Sequence, residues 1–237
     1  MTHPHDTAPA PDPRVSVHGE AHLEVEPELA RIGIVVTARG TDRRHTLDDL
    51  TRRNSRCLEL LRGYGDAVES IESGALHVAP ELAKGRGERV RAHHGSVRIN
   101  ATVTDFSVLG ELTTRLGDLE LTHVSGPWWS LRPDSPAHRR VRQQAVQEAV
   151  RRAREYAEAL GSRLLTLTEL ADPGAETPYA PRAAGFAPAP AGAARGLAAE
   201  PAPLDLEPQR QTVRARVTAR FTMTPPDLGA PAGQQPG

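Results

Sequence analysis

Apolar and polar residues alternate along this chain in several runs of period two, interrupted by runs with helical spacing. In VSVHGEAHLEV, Val15, Val17, Ala21, Leu23 and Val25 alternate with Ser16, His18, Glu20, His22 and Glu24, the pattern of a half-buried strand. Pro27 interrupts it, and Arg31 to Ala38 reads as a second strand with Ile32, Ile34 and Val36 inward. The short break at Pro27-Glu28 predicts that these two strands pair antiparallel. Thr41 or Asp42 then caps a helix that buries Leu47, Leu50, Cys57, Leu58 and Leu61 and stops near Gly63. Ser70 to Leu82 and Val90 to Thr104 are predicted as a hairpin about the turn at Lys84 to Glu88, with Val97, Ile99, Ala101 and Val103 on one face. Asp105 caps a short helix carrying Phe106, Leu109, Leu112 and Leu116, closed by Gly117. Leu119 to Leu131 is extended and broken near Gly126-Pro127.

The longest helical pattern runs from Ala137 to Gly161. Val141, Ala145, Ala149, Ala153, Tyr156, Ala157 and Leu160 recur at spacings of three and four and form one stripe. Because the stripe is mostly alanine, this helix is expected to lie close against a sheet, one that includes the last strand, Val213 to Met223. On its outer face Glu148 with Arg152, Arg151 with Glu155 and Arg154 with Glu158 have ion-pair spacing. A strand from Arg163 to Leu170 follows the helix. The stretch 172–208 is rich in Pro and Ala and too poor in apolar bulk to offset its ordering entropy. It reads as a flexible insertion, since the strand after it completes the sheet. The expected organisation is a disordered leader, 1–14, a single domain, 15–224, carrying the insertion, and a disordered tail, 225–237. The fold class is α+β.

Composition narrows the function. The 237 residues carry a net charge of −1 and only 3% aromatics, so no global field favours nucleic acid or an anionic membrane. Lys84 is the only lysine, and the Arg, Ala, Pro and Gly excess resembles the residue bias of a GC-rich bacterial genome. Cys57 is the single cysteine, which excludes an intrachain disulfide and a thiolate zinc cluster. No P-loop, nucleophile elbow or dinucleotide fingerprint occurs, so no cofactor and no catalytic residue is expected. The N-terminal stretch has neither a basic nor an apolar leader region, and no run is long enough to cross a membrane. A cytoplasmic protein without a membrane span is the expectation.

His18, Glu20 and His22 project from one strand face, a donor set that suits zinc or a similar ion. A metal-assisted hydrolase is the alternative this set offers; otherwise the face is the charged edge of a sheet. Arg214, Arg216 and Arg220 line one face of the last strand, with Arg98 placed beside them, and are expected to pair with carboxylates across strands. That face lacks the aromatics on which bases stack, so no nucleic-acid partner is expected. Trp128 and Trp129 are adjacent on a strand and must point to opposite sides. One enters the core and the other is an interface candidate.

Several ordered signatures carry a resemblance. They are V-x-G-x-A at Val17, Gly19 and Ala21; P-E-L-A at Pro27 to Ala30; RINATVTDFSVLGEL at Arg98 to Leu112; the alanine repeat from Ala145 running into A-L-G at Gly161; and the closing strand Val213 to Met223. Taken in order, from about Val15 to Thr224, they resemble the SIMPL domain family, a bacterial domain of unknown function. The resemblance implies an α+β fold of two strand-helix units and a tendency to assemble into rings or larger oligomers. It implies no catalytic residues. Many members of that family carry signal peptides and act in the cell envelope, and this chain departs from them in having no such leader. The reading that follows is a non-enzymatic, homo-oligomeric scaffold or interaction module.

Overall fold

A computed structural model of the chain describes residues 12–83, 90–172, 204–226 and 228. Among these residues it has seven strands in two antiparallel sheets and three α-helices, the α+β class expected from the pattern. Most of the expected leader, the turn at Lys84 to Glu88, most of the insertion and most of the tail lie outside the described residues, and Arg14, placed in the leader, is the first residue of a strand. Chain contacts divide the molecule into two compact units. One comprises Met1–Val25, Asp134–Ala187 and Thr212–Gly237, the other Glu26–Pro133 and Pro188–Gln211.

The first unit contains β1 (Arg14–Val25), α3 (Pro136–Ala159), β6 (Leu164–Ala171) and β7 (Gln211–Met223). Its sheet has the order β1-β7-β6. Pro13 O accepts from Met223 N, His18 sits beside Thr218 and Glu20 beside Arg216, so β1 and β7 run antiparallel. Helix α3 starts at Ser135, whose hydroxyl accepts from Ala137 N, and Gly161 takes a positive φ of 64° just beyond its end. Ala145, Ala149 and Ala153 are fully buried against Val17, Val217, Ala219 and Phe221. The alanine stripe thus lies on a sheet that includes the closing strand. Tyr156 departs from the expectation: it is exposed, because it stands beside the stripe instead of within it.

The second unit contains β2 (Leu29–Gly40), α1 (Arg43–Arg62), β3 (Val68–Leu82), β4 (Val90–Val103), α2 (Leu109–Gly117) and β5 (Thr122–Ser130). The strand order is β3-β4-β2-β5, and neighbouring strands are antiparallel. With α1 between β2 and β3, and α2 between β4 and β5, this is the split βαββαβ arrangement of ferredoxin-like domains. Both helices pack on one face. Leu50, Cys57 and Leu61 of α1 and Leu109, Leu112 and Leu116 of α2 bury Ile32, Ile34 and Val36 of β2 and Ile99, Ala101 and Val103 of β4. Asp42 caps α1 by accepting from His45 N, and that bond holds its carboxyl below the usual range.

One expectation is corrected by this topology. The strands β1 and β2 do not pair with each other: β1 joins β7, while β2 lies between β4 and β5. Pro27-Glu28 is where the chain leaves one sheet and enters the other, and a two-residue break looks the same in sequence for a hairpin and for such a crossing. Within the stretch read as flexible, Leu204 to Pro208 is packed on the second unit. Leu206 lies against its core, and a Cβ on Gly110 would stand only 2.1 Å from Leu204 O.

Candidate functional site

On β1 the side chains of His18, Glu20 and His22 are exposed on one face, as period two requires. Two of the three face the neighbouring strand β7. His18 Nδ1 lies 3.1 Å from Thr218 Oγ1, and Glu20 Oε1 is 2.7 Å from the Arg216 guanidinium. A carboxylate held by a neighbouring strand's arginine is compensated in place. Among the described residues no group of three His, Cys, Asp or Glu side chains is placed to hold a metal ion. Since β1 is an edge strand, the charged row fits a sheet edge shielded from pairing.

The closing-strand arginines pair across strands, Arg216 with Glu20 and Arg220 with Glu169 at 2.6 Å. Arg98 does not join them. It belongs to β4, in the other sheet, where it lies opposite Val35. The helix pairs form at Glu148 with Arg152 and at Arg151 with Glu155; Arg151 also reaches Glu148, and Arg154 with Glu158 is not among the ion pairs of the described residues. Bonds from Arg151 and Arg152 hold the Glu148 carboxyl below its ordinary range.

Cys57 has no exposed surface, and burial pushes its thiol up to about 11. At neutral pH that leaves about a hundredfold fewer thiolates than an ordinary cysteine would have, before exclusion of reagent is counted. Native protein is therefore expected to react with a disulfide reagent only as fast as α1 opens, and denatured protein at once. Rapid labelling of the native chain would show Cys57 to be accessible.

The tryptophans separate as expected, and β5 decides which way each points. Arg31 lies opposite Trp128 and Gly33 opposite Ser125, so β5 carries Gly126 and Pro127 against the single residue Ile32. This bulge shifts the alternation. Val124 and Trp129 then share the core side, where Trp129 meets Phe106 edge to face at 4.9 Å, while Trp128 shares the outer side with Ser125. Trp128 is 47% exposed. Its ring lies over Gly33, where a Cβ would stand 3.2 and 3.3 Å from two ring carbons.

Around Trp128 the outer face of this sheet presents Arg31 and Val35 on β2, and Arg98, Asn100 and Thr102 on β4. Sequence reasoning singled out Trp128 but missed Gly33, Arg31 and Asn100 as its neighbours. The available signal was a glycine inside an otherwise apolar strand, which marks a close approach. A second exposed apolar feature lies on β6, the other edge of the first unit's sheet, where Leu165, Leu167 and Leu170 are each about half exposed.

No helix among the described residues is long and apolar enough to cross a membrane. No curated protein matches the chain. A family model described as SIMPL, protein of unknown function (DUF541), matches residues 15–221, which includes every strand and helix described above except the first residue of β1 and the last two of β7. The chain belongs to the SIMPL family.

Proposed function

We propose that this chain acts by binding and not by bond-making, as a module that associates with copies of itself through the β6 margin of its first unit. The observation that carries this reading is the incomplete cover of the sheet by α3. Leu167 and Leu170 lie opposite Phe221 and Ala219, hence on the side of the sheet that α3 buries. Phe221 and Ala219 are buried there, whereas Leu167 and Leu170 remain 48% and 49% exposed. Sharing that edge with Leu165, they form an apolar margin on an edge strand.

A second copy is the occupant that fits, because a two-fold contact brings the same patch from both partners together and an apolar patch is its own complement. Register shifts between Leu164 and Leu167 and between Leu167 and Glu169 twist the strand away from regular pairing. The contact is therefore read as leucine against leucine, not as a continuous sheet. Light scattering after size-exclusion chromatography tests it. Wild-type protein is expected to be oligomeric, and Leu167→Glu with Leu170→Lys to be monomeric with unchanged helix and strand content. A strictly monomeric wild type over a wide concentration range, or an unaltered oligomer in the double variant, would remove the proposal.

A further inference from the structure

We propose that the outer face of the four-stranded sheet in the second unit binds single-stranded nucleic acid, with Trp128 as a stacking platform and Arg31 and Arg98 as phosphate contacts. This is independent of self-association, which rests on β6 of the other unit. Because Gly33 has no side chain, the indole lies directly over the β2 backbone and keeps its outer side bare. A base stacks on such a surface whatever its identity, since every base has a π-face.

The surroundings decide between ligand classes. A tryptophan at the centre of a protein contact is ringed by neighbours that exclude water. Around Trp128 stand Arg31, Ser125 and, one strand further, Thr102 and Asn100, with Val35 the one aliphatic side chain among them. Arg31 is directly opposite Trp128 on β2, and Arg98 follows two residues from Asn100 on β4 with its stem over Gly74. Both guanidinium groups are exposed, and neither is in an ion pair among the described residues. Elsewhere Arg39, Arg132, Arg216 and Arg220 each hold a carboxylate. A bare aromatic ring between unpaired cations matches a polymer that alternates planar rings with anions, and a neutral sugar chain leaves both arginines unanswered. Glu72 is on β3, opposite Asn100, so the strand is placed across β5, β2 and β4 and away from β3.

The near-zero net charge and the lack of stacking aromatics beside the arginines of the last strand spoke against this partner in the sequence; the platform is assembled from three other strands. Two phosphate contacts make the site weak, with a slope of log affinity against log salt of about −1.4. The test titrates the full chain with fluorescein-labelled oligo-dT and oligo-U, reading anisotropy and tryptophan emission between about 50 and 200 mM salt. Saturable binding that quenches emission is expected, with that slope. Trp128→Ala is expected to weaken it about tenfold or more, and Trp128→Phe to keep it within a few-fold. Arg31→Gln with Arg98→Gln should flatten the salt response. Circular dichroism confirms that each variant is folded. No saturable binding, binding indifferent to Trp128→Ala, or equal binding of a neutral oligosaccharide such as cellohexaose would each overturn the proposal.

Discussion

Replacing Gly19 with valine is expected to lower the stability of the first unit by about 3 kcal/mol, at the upper end of what overpacking costs. The prediction rests on where α3 runs. A Cβ at position 19 would stand 2.0 Å from Ala145 O, 2.6 Å from Ala149 N and 2.8 Å from Ala149 Cβ. Two of those three atoms are helix backbone, held by the hydrogen bonds of consecutive turns, so no single side chain rotates away to make room. The helix must retreat as a body, and the contacts of Ala145, Ala149 and Ala153 with Val217, Ala219 and Phe221 are lost with it. Ala149→Leu makes the same clash from the other side and is expected to cost about 1–3 kcal/mol. Urea unfolding of both variants measures this. A wild-type midpoint in Gly19→Val would mean that helix and strand are not in contact there.

The second large effect is expected in the other unit, where Ile34→Ala should cost about 2–5 kcal/mol. Ile34 is fully buried on the central strand β2, between Ile99 on β4 and Val124 on β5. The same cluster takes Leu50, Cys57 and Leu61 from α1 and Leu109, Leu112 and Leu116 from α2. Two helices and three strands fix the walls around the deleted atoms, so a cavity remains instead of collapsing, and cavity volume adds to the lost transfer energy. A loss below about 1 kcal/mol would show that the walls close in. The emission of Trp129, which packs against this core, gives a second readout.

These two substitutions differ in how visible they were. Ile34 was legible because alternation along Arg31 to Ala38 marks its face without any knowledge of a partner strand. Gly19 was visible only as one letter of a family signature. The reason that position admits no side chain is the α3 backbone, more than a hundred residues away in sequence. Much the same holds for the candidate surfaces. That Trp128 and Trp129 oppose each other follows from the period of a strand, but the outward one could not be chosen, because the answer depends on the bulge that Gly126 and Pro127 make against Ile32.

By itself the sequence determined the α+β class, the elements in order, Asp42 and Asp105 as residues able to start a helix turn, the alanine stripe, and the family to which the chain belongs. Those properties are local, set by side-chain period, backbone preference and ordered short signatures. Tertiary structure alone decided that β1 turns away from β2 to join β7, that Arg98 is in a different sheet from Arg214, Arg216 and Arg220, and that Glu20 pairs with Arg216. It also decided that Trp128 rests on Gly33 and that Leu167 and Leu170 lie beyond the cover of α3. Each of these depends on which strands become neighbours. The residues that settle strand neighbours are separated along the chain and interact only after the sheets have formed, so no spacing within one segment records them.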